Sequence, residues 1–82
     1  MKRHTKTAKT LLRNSIKAAP AAMQPRREYH VIGLDDGAIW VCPRSADDQA
    51  KLRQILILAG WSVRCDGEPG TSGEWIIETR IP

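Results

Sequence analysis

The chain has no phenylalanine and only four aromatic residues, Tyr29, Trp40, Trp61 and Trp75. A domain built this way must fill its interior with aliphatics and tryptophan, so most of the indoles are expected in the core and about one at the surface. Cysteine is scarce as well: Cys42 and Cys65 are too few for a disulfide scaffold, and no secretory-type apolar stretch precedes them. Free thiols in a reducing, cytoplasmic setting are the default expectation. Long hydrophobic runs are missing. The longest, Ile55-Leu56-Ile57-Leu58-Ala59, falls far short of the roughly 20 residues of a membrane-spanning helix.

Acidic residues are absent from the first third of the chain. Residues 1–27 carry Lys2, Arg3, Lys6, Lys9, Arg13, Lys17, Arg26 and Arg27 and no Asp or Glu. Residues 28–82 carry five Lys/Arg against nine Asp/Glu, a balance of −4. The overall +4 thus divides into a strongly basic segment and a mildly acidic one. Such a division predicts a globular body at 28–82 and a charged arm with its own partner at 1–27. A body of about 55 residues is close to the lower limit for independent folding, so docking on a partner or forming a homodimer would help it.

Catalytic and metal-binding signatures are missing too. His4, His30, Cys42 and Cys65 lack C-x-x-C or H-x-x-x-H spacing, which speaks against zinc. Asp35-Asp36 precede Gly37 and read as turn residues, while Asp47-Asp48 read as the acidic first turn of a helix. No serine lies in a G-x-S-x-G context. Gly67, Gly70 and Gly73 lack a following Lys-Ser/Thr and lead into a strand, unlike a phosphate loop. His30 and Cys42 fall on neighbouring expected strands and can meet across a hairpin, an incidental contact more often than a nucleophile and its base. The expectation is therefore no enzyme, no cofactor and no metal.

What is present is local patterning. Ala8, Leu11, Leu12, Ile16 and Ala19 recur at helical spacing, and Pro20 ends that run. The face is thin, and isolated helices of about 15 residues are marginal in water. The arm is therefore expected to be mobile alone and helical when docked, with a linker at 21–25. Residues 28–34 alternate as a strand, with Tyr29 and Val31 opposed to His30, Ile32 and Leu34. Asp36-Gly37 suggests a type I′ hairpin turn, and 38–42 return as the second strand. Ser45 caps a helix whose stripe is Leu52, Ile55, Leu56 and Ala59, widened by Ile57 and Leu58, with Gly60 as its stop. Residues 61–65 alternate with Trp61, Val63 and Cys65 inward, 66–73 read as an exposed loop, and 74–81 alternate again. The expected fold is α+β: a basic arm followed by a ββαββ domain whose antiparallel sheet packs on one helix.

Two functional expectations follow. The first is a small non-enzymatic binding protein. Its acidic body, through Asp35, Asp36, Asp66, Glu68, Glu74 and Glu78, would meet a basic groove on a host protein or nucleoprotein complex and modulate it, most simply by inhibition. In size and composition the chain is similar to small accessory proteins of phages and mobile elements, including inhibitors of host machinery and of CRISPR defence complexes, and that likeness implies an anti-defence role. The alternative is direct nucleic-acid binding by the arm through Lys2, Arg3, Lys6, Lys9, Arg13, Lys17, Arg26 and Arg27. A membrane-surface role for the Leu11/Leu12/Ile16 face ranks third, because no aromatic side chain anchors it.

Overall fold

The computed structural model describes residues 2–65 and 75–81. Helix α1 spans Lys2–Lys17, strand β1 His30–Gly33, β2 Ile39–Cys42, helix α2 Ala46–Leu58, β3 Ser62–Cys65 and β4 Ile77–Arg80. The fold is α+β, with one antiparallel sheet in the order β1-β2-β4-β3. Each hairpin contributes an edge strand, and β2 pairs with β4 at the centre. The two hairpins flanking α2 therefore form one continuous sheet.

Alternation sorts the strand residues into two faces. Register lines up Val31, Val41, Ile77 and Cys65 in one cross-sheet row, and Gly33, Ile39, Thr79 and Val63 in another. Ile39, Val41, Ile77 and Thr79 in these rows are buried. The buried Thr79 hydroxyl donates to the Ser62 carbonyl oxygen at 2.6 Å, so its burial leaves no orphaned polar atom. Trp61 is also buried. Its indole N–H reaches Ser15 Oγ at 3.2 Å and ties α1 to the start of β3.

Helix α2 forms for the reasons its sequence announces. Ser45 Oγ accepts the Asp48 N–H at 3.1 Å, and Asp47 pairs with Lys51 at 3.2 Å. At the other end Gly60 takes φ +91°. Gly60 N–H donates to the Ile57 carbonyl and Trp61 N–H to that of Leu56, the paired bonds of a Schellman stop. Leu52, Ile55 and Leu56 are buried. Ile57 and Leu58 do not widen the stripe; they are 48% and 68% exposed, because about 100° per residue carries them round to the solvent side.

The basic segment is helical, and its thin apolar face is part of the core. Ala8, Leu12 and Ile16 are buried in one cluster with Leu52, Ile55 and Ile77. Sheet and α2 together complete a face too narrow to hold a helix alone. The sheet is accordingly covered by two helices, α1 and α2. Leu11, at the edge of that face, stays 45% exposed. Residues 21–25 are a structured connection: a 3-10 turn at Ala21–Met23, Met23 packed on the core, and Gln24 Nε2 donating to the carbonyls of Ile16 and Ala19 at 2.6 and 3.1 Å. This side chain caps the C-terminal end of α1.

The first hairpin corrects the expected turn. Leu34 and Ala38 close the loop, with the Leu34 N–H on the Ala38 carbonyl at 2.8 Å, so three residues, Asp35, Asp36 and Gly37, form the tip. Only Gly37 has positive φ, +88°. A type I′ turn needs positive φ at both central residues. The observed loop puts the strain on glycine alone. The loop expected at 66–73 lies outside the described residues. Among the described residues no helix is long and apolar enough to cross a membrane.

Candidate nucleic-acid interface

Helix α1 carries its cations as a stripe. Lys9, Arg13 and Lys17 stand at i, i+4 and i+8, so they share one flank of the helix beside the buried row of Ala8, Leu12 and Ile16. In the sequence Lys6 and Lys2 precede Lys9 by three and seven residues, a helical repeat that Arg3 does not share.

Asp48 brings the second pair of cations to that stripe. Its carboxylate is 1% exposed. It accepts the backbone N–H of Arg26 at 2.9 Å and of Arg27 at 3.0 Å. The sequence places Asp48 in a helix-capping turn; the fold uses its side chain to clamp the chain leaving α1 against the start of α2. With their backbone fixed, Arg26 and Arg27 keep exposed side chains.

The outcome is an open pocket of about 550 Å³ lined by Arg13, Arg26, Arg27, Glu28, Tyr29 and His30 among others. Three arginines face one carboxylate there. Burial pushes the Tyr29 phenol above its ordinary pKa, against the opposing pull of Arg13. Two more of the expected basic residues, Lys9 and Lys17, extend this field along α1.

The expected acidic surface is not assembled among the described residues. Asp36 sits at the hairpin tip in a 2.8 Å ion pair with Arg80, whose second nitrogen donates to the Asp36 carbonyl oxygen at 2.9 Å. The Ala38 N–H and then Arg80 hold the Asp36 carboxyl below its usual pKa. Glu78 lies on β4, where Oε1 accepts the Trp40 indole N–H at 3.4 Å. Asp35 is exposed beside Asp36. Asp66, Glu68 and Glu74 lie outside the described residues.

The sheet's other face carries the row Ile32, Trp40, Glu78 and Arg64, and the pair His30 and Cys42. Both helices lie on the opposite face, and no described element covers this one. Ile32 is 45% exposed and Trp40 is half-buried. Trp40 and Trp75 are both half-buried and Trp61 buried, so one indole is fully in the core. His30 and Cys42 are direct cross-strand partners, an ordinary consequence of hairpin register. No group of three or more His, Cys, Asp or Glu side chains able to hold a metal occurs among the described residues.

A third surface is apolar. Ser15, Ala19, Met23, Ile55, Leu58 and Ala59 line a cleft of about 210 Å³ between the C-terminal ends of α1 and α2.

No protein-family model, curated protein or solved structure matches this chain.

Proposed function

We propose that this is a non-catalytic, cytoplasmic nucleic-acid-binding protein that grips phosphates with the α1 stripe and the Arg26/Arg27 pocket. The observation that carries the reading is how the charges are disposed. Among the described residues, Asp36, Asp47, Asp48 and Glu78 are engaged within the fold. Lys9, Arg13 and Lys17 share one flank of α1, Arg13, Arg26 and Arg27 line one pocket with Glu28, and none of the five has a carboxylate partner in an ion pair among the described residues. Clustered cations released from internal pairing are what counterion-driven phosphate binding requires.

The decisive variant cannot be a deletion of the basic segment, because removing α1 removes Leu12 and Ile16 from the core. Arg26→Gln/Arg27→Gln keeps the backbone clamp and removes two exposed charges. Fluorescence anisotropy with labelled DNA and RNA over a salt series is the test. Wild type is expected to bind with a steep salt dependence, and the double variant to bind more weakly. The slope of log K against log salt should fall by about 1.4–1.8. Undiminished affinity and slope in the double variant would sink the proposal.

A second reading is supported by the apolar cleft at Ala19, Met23 and Ile55, with Leu58 68% exposed at its rim. Here the chain is a phage-type modulator that inhibits a host protein or nucleoprotein complex, with the cleft taking an apolar side chain of the partner. Leu58→Glu would then abolish complex formation and leave nucleic-acid affinity untouched.

A further inference from the structure

We infer that the sheet face that no described element covers is a base-stacking platform, and that the nucleic acid it accepts is single-stranded. The inference rests on the phosphate-binding reading above and adds the strand state and the base-contacting residues.

His30 joins the two surfaces. This residue lines the basic pocket with Arg13, Arg26 and Arg27. It also opens β1, on the face of the sheet that no described element covers. Ile32 lies two residues further along the same face, and its direct cross-strand partner is Trp40. Two residues along a strand cover about 6.6 Å, and neighbouring strands lie about 4.8 Å apart. The pocket and the indole are therefore separated by roughly two stacked bases at about 3.4 Å each. A strand whose phosphates sit at Arg26 and Arg27 reaches Trp40 with its next bases.

The chemistry of the row selects the occupant. Ile32, 45% exposed, and the half-buried Trp40 lie side by side. An exposed isoleucine beside an indole offers nothing to a phosphate. It offers a flat apolar surface to the face of an unpaired base. A duplex keeps its base faces stacked inside and presents phosphates, sugars and groove edges instead. The Glu78 carboxylate keeps its negative charge while it accepts the indole N–H at 3.4 Å, so this row favours bases and leaves the phosphates to the pocket. That bond holds the ring in place from the neighbouring strand. Charge complementarity thus comes from the pocket, and base contact from the sheet.

The experiment uses the full chain and anisotropy with a labelled 12-nucleotide single strand, as DNA and as RNA, and the matching 12-base-pair duplex. The wild type is expected to prefer the single strands. Trp40→Ala should weaken single-strand binding by about 5- to 150-fold, the range for losing one stacked base. It should leave duplex affinity and the salt slope unchanged. Trp40→Phe should restore most of the loss. Ile32→Ser, at an exposed position and without a change of charge, gives the same readout should Trp40→Ala fail to fold. Equal affinity for single strand and duplex, with neither variant altering it, overturns the platform while leaving phosphate binding intact. A sedimenting dimer that Ile32→Glu dissociates also overturns it, by giving the face to a second copy. Absence of binding to every probe overturns both readings together.

Discussion

Two aspartates with the same chemistry have opposite situations. Asp48 is buried and accepts two backbone N–H groups from a segment more than twenty residues earlier. Replacing it with alanine leaves both donors without their charged acceptor. Bonds of this kind are worth about 1.5–3 kcal/mol each and are not additive. Asp48→Ala is expected to lower unfolding free energy by about 2–4 kcal/mol in urea titrations, and to weaken nucleic-acid binding by releasing Arg26 and Arg27. Asp36 is exposed at the hairpin tip and its carboxyl pKa is depressed by the Ala38 N–H and Arg80. A depressed acid adds stability above its unfolded pKa and loses it as pH falls through the folded value. Melting temperatures of wild type and Asp36→Asn should therefore differ at neutral pH. They should converge as pH drops below about 4, where the unfolded carboxyl protonates. A gap that persists at acid pH would mean that the turn geometry, not the charge, carries the effect.

At the scale of elements, α1 is the test case. Leu12 is fully buried, and Leu12→Ala should cost about 2–5 kcal/mol, a large share of the stability of a chain this size. Circular dichroism should then show loss of the whole transition, not of one helix. Ser45→Ala removes a single cap and should cost only about 1 kcal/mol. These contrasts mark what was legible in the sequence. Alternation around Val31, Val41 and Ile77, the Ser45 cap and the Gly60 stop are local signals, and each produced the element it announced. The docking of α1 was not legible, because three small or medium side chains at i, i+4 and i+8 make a face only when something complementary is opposite. That complement includes Ile55 and Ile77, 39 or more residues away. The basic pocket was illegible for the same reason. Arg13 and Arg26 are recognisably basic in sequence, yet nothing local says that Asp48 will fold the chain so that His30 joins them. The exposure of Ile57 and Leu58 follows from helical angles and not from the apolar composition of the run.

For the whole molecule, the sheet divides the labour. One face is the wall of the core beneath two helices; the other carries Ile32 and Trp40. Substitutions on the two faces should therefore separate cleanly. Val41→Ala, fully buried, should lower stability by about 1–3 kcal/mol and leave the affinity of the folded fraction unchanged. Ile32→Ser should leave the melting temperature within about 2 °C, as surface changes usually do, and weaken single-strand binding. Differential scanning fluorimetry and anisotropy on the same preparations would check both.

The sharing of one core cluster by α1 and Ile77 has a consequence for the order in which the protein is made. Some sixty residues separate Ile16 from Ile77 in the chain. At about 5–20 residues per second of synthesis, that separation is roughly 3–12 seconds. Throughout that interval α1, marginal as a helix by itself, exists on the ribosome as an unneutralised basic segment. Helix α1 therefore joins a core that stays incomplete, and the sheet cannot be sealed from water, until β4 has emerged.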